Sequence, residues 1–168
     1  MKQIILMRHS KSGWDNSSLQ DFDRPLSDQG IRDAYAMGKF FHKSGNMPGL
    51  LISSPAERAR QTCNLFAEGA LLDENIVSWN RSFYYGSEMH YLEAINNAPD
   101  EHELIMLIGH NPLLEKTAGI LAGVNNKLAV KMSTTALVTL ESFAETWKTI
   151  HPGTCQITGM VTPELLNF

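Results

Sequence analysis

Long hydrophobic runs are missing from this chain. No apolar stretch approaches the ~20 residues that cross a bilayer, and the N-terminal MKQIILMRHS turns charged too soon to contain the apolar stretch of a secretory signal. A membrane partner is therefore not expected. Cysteine is scarce too: Cys63 and Cys155 are the only two, with neither metal-ligand nor redox-pair spacing. They read as reduced thiols of a cytoplasmic protein, and no metal site or cofactor is expected. Nor is there an excess of positive charge. Fourteen Lys and Arg against eighteen Asp and Glu give a formal net charge of -4 and a pI near 5.8. That balance excludes a general nucleic-acid binder but not a local basic pocket. Repeats, low-complexity segments and Pro/Ser/Gly-rich linkers are absent as well. The 168 residues, 43% of them hydrophobic, are expected to form a single domain, residues 1–168, with a substantial core.

What is present is an alternation of two patterns. Short apolar runs at Ile4 to Met7, Leu50 to Ile52, Ile76 to Trp79 and Leu104 to Ile108 read as buried strands. Between them lie segments of helical period, starting after Ser27, Ser54, Ser87 and Asn111. This alternation predicts an α/β fold, three layers α/β/α, with a central mostly parallel sheet. Ala136 to Leu140, Thr146 to Ile150 and Gln156 to Val161 break the pattern and read as an antiparallel C-terminal extension. Helix starts are marked by capping residues. Ser27 can cap a helix whose apolar stripe is Ile31, Ala34, Tyr35, Gly38 and Phe41, with Leu26 stapled on Ile31. Ser54-Pro55-Ala56-Glu57 reads as a capping box with Arg58 in the first turn, and Asn111 as the cap before the next helix.

Two of the strand-like runs end in histidine. IILM leads into Arg8-His9, and LIMLIG leads into His110-Asn111-Pro112. In an open α/β sheet the residues just past the carboxyl ends of the strands line the ligand crevice. Two imidazoles and a guanidinium are thus delivered to one sheet edge, beside helix N-termini that favour anions. Phosphoryl transfer asks a protein to position a phosphate and neutralise its oxygens, which the planar fork of arginine does at any working pH. Candidates are Arg8, Arg24 and Arg58. A neutral imidazole can attack phosphorus and be released by hydrolysis, and neighbouring arginines keep it neutral by lowering its pKa. Arg58 and Arg60 flank the apolar face of Ala59, Cys63 and Phe66 on opposite sides, so periodicity does not separate them. His42, His90, His102 and His151 lack such a setting and read as surface or structural, and Trp14 as a packing anchor.

The blocks RHSKSGW, DFDRPLSDQGIRDA, SSPAERARQT and IGHNP, continued by WKTIHPGT and VTPELL, resemble the SixA-type phosphohistidine phosphatases of the histidine phosphatase (phosphoglycerate-mutase-like) superfamily. The likeness spans essentially the whole chain. It implies that His9 is the nucleophile, that Arg8 and Arg58 bind the phosphoryl oxygens, and that His110 completes the pocket. It selects Arg58 over Arg60 by its place in SSPxxRAxQT. It also makes Arg24 a second-tier arginine near the phosphate and Ser12 a hydrogen-bond donor to it. Ser10 replaces the glycine usual after the first Arg-His pair, which narrows backbone freedom. Asp15 replaces an asparagine of the mutases and would repel phosphate unless it turns outward or pairs with an arginine.

The superfamily's mutases and many of its phosphatases supply a carboxylic acid to protonate the leaving group. Glu88, after YYGS, is the one candidate here, and its place also suits an acidic residue in a first helical turn. An alkoxide needs such an acid, an effect on the order of 10²–10⁴ in rate. An imidazole, with an ordinary pKa near ~6.5, leaves without it. The expected function is therefore metal-independent phosphatase action on phosphohistidine in a protein. Two alternatives stand beside it: a phosphatase of small phosphate esters or anhydrides, and a non-catalytic phosphate- or phosphoprotein-binding module.

Overall fold

The computed structural model describes residues 1–13, 17–124 and 130–166; Trp14 and Asp15 lie outside them. Strand β1 (Lys2–Arg8) is followed by α1 (Asp28–Ser44), β2 (Leu50–Ser53), α2 (Glu57–Ala70) and β3 (Val77–Trp79). A four-residue helix α3 (Ser82–Tyr85) then precedes α4 (Glu88–Asn96), β4 (Leu104–Gly109), α5 (Leu113–Leu121), β5 (Leu137–Ser142) and β6 (Gln156–Val161). The sheet order is β3-β2-β4-β1-β5-β6. Strands β3, β2, β4 and β1 are mutually parallel, whereas β5 runs antiparallel to both β1 and β6.

Strands covered on both faces need apolar residues at every position, which is why β1 and β4 read as unbroken runs. Ile4 and Leu6 of β1 pack with Ile105 and Leu107 of β4 against α4 and α5, through Tyr91, Leu92, Ile95, Leu114 and Ala118. Ile5 and Met7, with Met106 and Ile108, face α1 and α2 through Met37, Phe41, Cys63 and Phe66. The three layers and the mostly parallel sheet expected from the pattern are present.

Two segments depart from the expected pattern. Thr146 to Ile150 forms no strand. Trp147–Thr149 is a single 3-10 turn, and the buried Trp147 donates its indole N–H to the carbonyls of Pro99 and His102. Those bonds at the sheet's lower end outcompete a ladder position. Ser27 does cap α1, accepting the Gly30 N–H, but the buried stripe is Gly30, Ala34, Met37, Gly38 and Phe41. Ile31 and Tyr35 stand outside it, 42% and 39% exposed, so the expected staple pairs a buried Leu26 with an outward-facing Ile31. The rotation follows from backbone contact between α1 and α2. A Cβ on Gly38 would sit 2.2 Å from the Phe66 carbonyl, and one on Gly69 2.3 Å from that of Tyr35, so the glycine face must turn inward.

Candidate active site

The parallel register sets the two histidines side by side. Arg8 and Gly109 are paired residues on β1 and β4, so His9 and His110 are the next residues beyond two adjacent strand ends. The His9 N–H donates to the Gly109 carbonyl at 3.0 Å, and the imidazole centroids are 5.1 Å apart. Gly109 is required by contact: a Cβ there would lie 2.0 Å from the Tyr91 hydroxyl. That hydroxyl donates to the Phe83 carbonyl and lies 3.4 Å from the His110 backbone N–H, which donates to it.

The ring of His9 is held in one tautomer. Its Nδ1 lies 2.8 Å from the Ser10 carbonyl, which can only accept, so Nδ1 carries the proton. Nε2 therefore presents its lone pair, and Arg58 Nε donates to it at 3.3 Å. Burial, opposed by the Ser10 contact and reinforced by Arg58, Arg8 and Arg24, lowers the His9 pKa to about 4. Burial, with His9, Arg58 and Arg8 adding to it against Asp21, lowers that of His110 to about 3. Both rings are neutral at pH 7, and the first has a nucleophilic nitrogen.

Around them a cavity of about 400 Å³ is lined by Arg8, His9, Lys11, Ser12, Arg24, Arg58, His110, Asn111 and Thr134. No carboxylate appears among these described lining residues. Two larger hollows, each about 550 Å³, flank Trp79 and bring together no such set of cations. Cavity size is the poorer guide here, because binding an oxyanion depends on converging donors. Among the described residues no three His, Cys, Asp or Glu are grouped to hold a metal ion.

The arginines are secured from behind. Arg8 donates from Nη1 to the Met132 carbonyl at 2.9 Å. Met132 is in turn fixed by the buried Glu115, which accepts from its N–H and from the Asn111 amide, both at 2.8 Å. Arg58 gives Nη1 to the Asp21 carbonyl and Nη2 to the Asp21 carboxylate, at 2.6 and 3.0 Å. Arg24 meets the same carboxylate at 3.1 Å. Burial raises the Asp21 pKa, but the Tyr84 hydroxyl, Arg58 and Arg24 outweigh it and hold it below the ordinary carboxylate value. The fork of Arg58, expected to meet phosphate with two nitrogens, thus has both terminal nitrogens engaged by Asp21 here.

The sequence-expected residues Arg8, His9, Ser12, Arg24, Arg58 and His110 all come together. Glu88 does not join them: it starts α4, does not line the cavity, and pairs with Lys116 at 3.9 Å. Two of the expected caps turn out otherwise. Ser54 is not the cap of α2, which starts at Glu57 after Ala56; its hydroxyl instead lies 2.8 Å from His110 Nε2. Asn111 does not cap α5 either: its Nδ2 donates to Glu115 and Met132, and with the amide so oriented its Oδ1 accepts from no N–H of α5. Ser10 shows no left-handed backbone. It is buried, with its hydroxyl 2.7 Å from that of Thr135 and its N–H donated to Thr62. Thr135 itself takes φ +67°, which costs a β-branched residue of order 1–3 kcal/mol; its N–H donates to the His9 carbonyl. Sequence reasoning misses Asp21, Tyr84 and Ser54 as members of the site. Asp21 carries one usable signal, its position three residues before Arg24.

Residues 4–82 match the family model of the histidine phosphatase superfamily (branch 1). An uncharacterised chloroplastic protein of Arabidopsis thaliana is 31% identical, over 99% of this chain and 80% of its own length. SixA from Agrobacterium tumefaciens superposes with a TM-score of 0.79 at 25% identity, covering 96% of this chain and 98% of that one. The tungstate complex of the protein histidine phosphatase SixA gives 0.83 at 18%, covering 98% and 99%. Fold, paired histidines and arginines agree with the sequence blocks that suggested the likeness, and the chain belongs to the histidine phosphatase superfamily.

Proposed function

We propose that this protein is a metal-independent phosphatase that works through a phosphorylated His9, and that its substrate is phosphohistidine in a protein. The observation that carries the reading is the unprotonated Nε2 of His9, set with Arg8, Arg24 and Arg58 in one cavity that has no carboxylate among its described lining residues. Nε2 attacks phosphorus, and the bond to the leaving group breaks with its electron pair staying on that group. The Nδ1 proton stays on His9, and the Ser10 carbonyl supports the positive ring. Water then attacks the phosphohistidine, giving inorganic phosphate and a proton and restoring the neutral ring. Arg8, Arg58 and the second-tier Arg24 supply charge to the phosphoryl oxygens, His110 and Ser12 complete the binding set, and a non-catalytic module would have no use for the nucleophile.

Substrate class follows from what surrounds the reacting group. With no carboxylate among the described lining residues and Glu88 paired elsewhere, the site favours a leaving group that needs no acid. Imidazole is such a group once its other ring nitrogen carries a proton, which its ordinary pKa near ~6.5 allows around neutral pH, so that it leaves as the neutral ring. A small phosphate anhydride is the second that the same observation admits. The match to SixA over nearly the full chain supports the first. Two buried thiols, Cys63 with its pKa raised to about 12 by burial, suit a reducing compartment such as the cytoplasm.

A panel of phosphohistidine, phosphoserine, sugar phosphates and nucleotides, each assayed with and without excess chelator, tests the proposal. Fastest turnover is expected on phosphohistidine, unchanged by the chelator. A rate lost on chelation and restored by a divalent ion would refute metal independence. Preference for a small ester would refute the substrate.

A further inference from the structure

An aromatic corner abuts the phosphoryl pocket, and nothing in the mechanism above uses it. Tyr84, on the short α3, meets His110 edge-on, with ring centroids 5.4 Å apart and an interplanar angle of 77°. The same ring lies 5.8 Å from the guanidinium carbon of Arg58, so it touches two walls of the cavity. Phe22 packs edge-on against it at 5.0 Å, Tyr85 does so at 4.7 Å, and Phe22 and Tyr85 are nearly parallel at 5.9 Å. This cluster is no core: Tyr85 is 63% exposed, and Phe22 and Tyr84 are only half-buried.

Its position is tied to the phosphate-binding residues. The Tyr84 hydroxyl donates to Asp21 Oδ2 at 2.7 Å, and the Asp21 carboxylate also pairs with Arg58 and Arg24. Three rings on two distant segments are thereby set beside the arginines. Tyr84 meets both His110 and Arg58, which line the cavity, so these rings adjoin the space open to a group bonded to a phosphoryl held there. Aromatic faces there favour a planar π-system, through edge or offset contacts, over an aliphatic chain.

We propose that Tyr84, flanked by Phe22 and Tyr85, is a specificity-determining residue that seats a planar aromatic leaving group, such as the imidazole of phosphohistidine or the phenol of an aryl phosphate. This rests on the phosphatase reading of the site and adds the class of group that the site releases. The bond from phosphorus to the ring nitrogen or phenolic oxygen breaks and its electron pair stays on the departing ring, which leaves as neutral imidazole when its other nitrogen already carries a proton or as phenolate, while the new bond forms to His9.

The test compares kcat/KM for p-nitrophenyl phosphate with that for acetyl phosphate, two activated substrates of which only one leaves as an aromatic ring. In Tyr84→Leu the aryl-to-acetyl ratio is expected to fall about three- to tenfold, and in Tyr85→Leu about twofold, the range of a lost aromatic contact. Tyr84→Phe keeps the ring and should keep the ratio. An unchanged ratio in both leucine variants overturns the proposal. Should Tyr84→Leu fail to fold, Phe22→Leu and Tyr85→Leu decide it by the same ratio. Neither substrate is phosphohistidine, so a wild-type protein that is inactive on phosphohistidine would sink the proposed physiological substrate while leaving this test intact.

Discussion

The two ends of β1 each carry a positive charge, fully buried at one and half-buried at the other, and treat it differently. At the lower end, Lys2 is 1% exposed and fully provided for: its ammonium donates to the carbonyls of Asp100 and His102 at 2.7 and 3.0 Å. It also lies 3.7 Å from Glu103 and 5.1 Å from the Trp147 ring centroid. At the upper end, Arg8 keeps a buried Nε without a hydrogen-bond partner among the described residues, and His110 a buried Nδ1 in the same condition. Lys11, Arg24 and Arg58 converge on that end too. A buried cation whose donors are all spent is part of the scaffold. Cations that converge beside two neutral imidazoles, around a cavity with no carboxylate among its described lining residues and with the Arg8 Nε donor unspent, are arranged to receive an oxyanion.

The largest effect that could break this comparison is on turnover. His9→Ala should lower kcat by about 10⁴-fold or more while phosphate affinity stays within a few-fold, because the nucleophile is lost and the arginines remain. Labelled substrate quenched in alkali should mark the peptide carrying His9; label on another residue, or near-normal turnover in the variant, rejects the mechanism. Next come the two ends set against each other. Arg58→Ala should cost about 10²–10³ in kcat/KM and weaken phosphate binding, since it removes charge felt in both ground and transition states. Lys2→Met should leave kcat/KM alone and cost about 1–3 kcal/mol of stability, by removing two charge-assisted hydrogen bonds to the Asp100 and His102 carbonyls. Denaturation and kinetics on both variants check this; a Lys2 variant with impaired turnover and intact stability would erase the distinction.

A smaller effect is expected from Gly109→Ala, whose new methyl collides with the Tyr91 hydroxyl and displaces His110. Activity should fall about ten- to a hundredfold. Adding Tyr91→Phe should restore part of it, and a double-mutant cycle with no coupling would show that the contact does not position His110. The mildest effect is on acid stability. Both site histidines have folded pKa values below the unfolded value near ~6.5, so the unfolded chain binds more protons as the medium turns acid. Their stabilisation is fully present above pH ~6.5. It is lost progressively as pH falls toward the folded values, about 4 for His9 and about 3 for His110. Melting curves between pH 7 and pH 4 should show a shallower loss in His110→Gln than in the wild type, and equal slopes would contradict the buried neutral state.

Much of the fold and the heart of the site are legible in the amino-acid sequence. The apolar runs ending at Arg8-His9 and Gly109-His110 are a local pattern, since strands covered on both faces leave few polar positions. The polar residue that closes each run marks the sheet edge. Spacing from Ser54 puts Arg58 in a first helical turn, where it does lie, although the capping box behind that inference does not exist. Ser54 fails as a cap because its hydroxyl bonds His110, 56 residues away, which no local rule weighs. Thr146 to Ile150 fails as a strand because Trp147 finds carbonyl partners at Pro99 and His102. Tyr84 and Asp21 cannot be read as a pair, being 63 residues apart on segments that meet only in the folded molecule.

The division has one physical cause. Period, polarity and turn chemistry act within about a helical turn or a strand, so the sequence by itself determined the layered α/β architecture and delivered the two histidines and Arg8 to strand ends. Register and packing act across the whole chain. Only the tertiary structure decided that His9 exposes Nε2 to Arg58 with Nδ1 spent on Ser10, and that Asp21 gathers Arg24, Arg58 and Tyr84 around the pocket. It likewise left Glu88 beside Lys116, because hydrogen-bond geometry and desolvation exist only once distant residues are brought together.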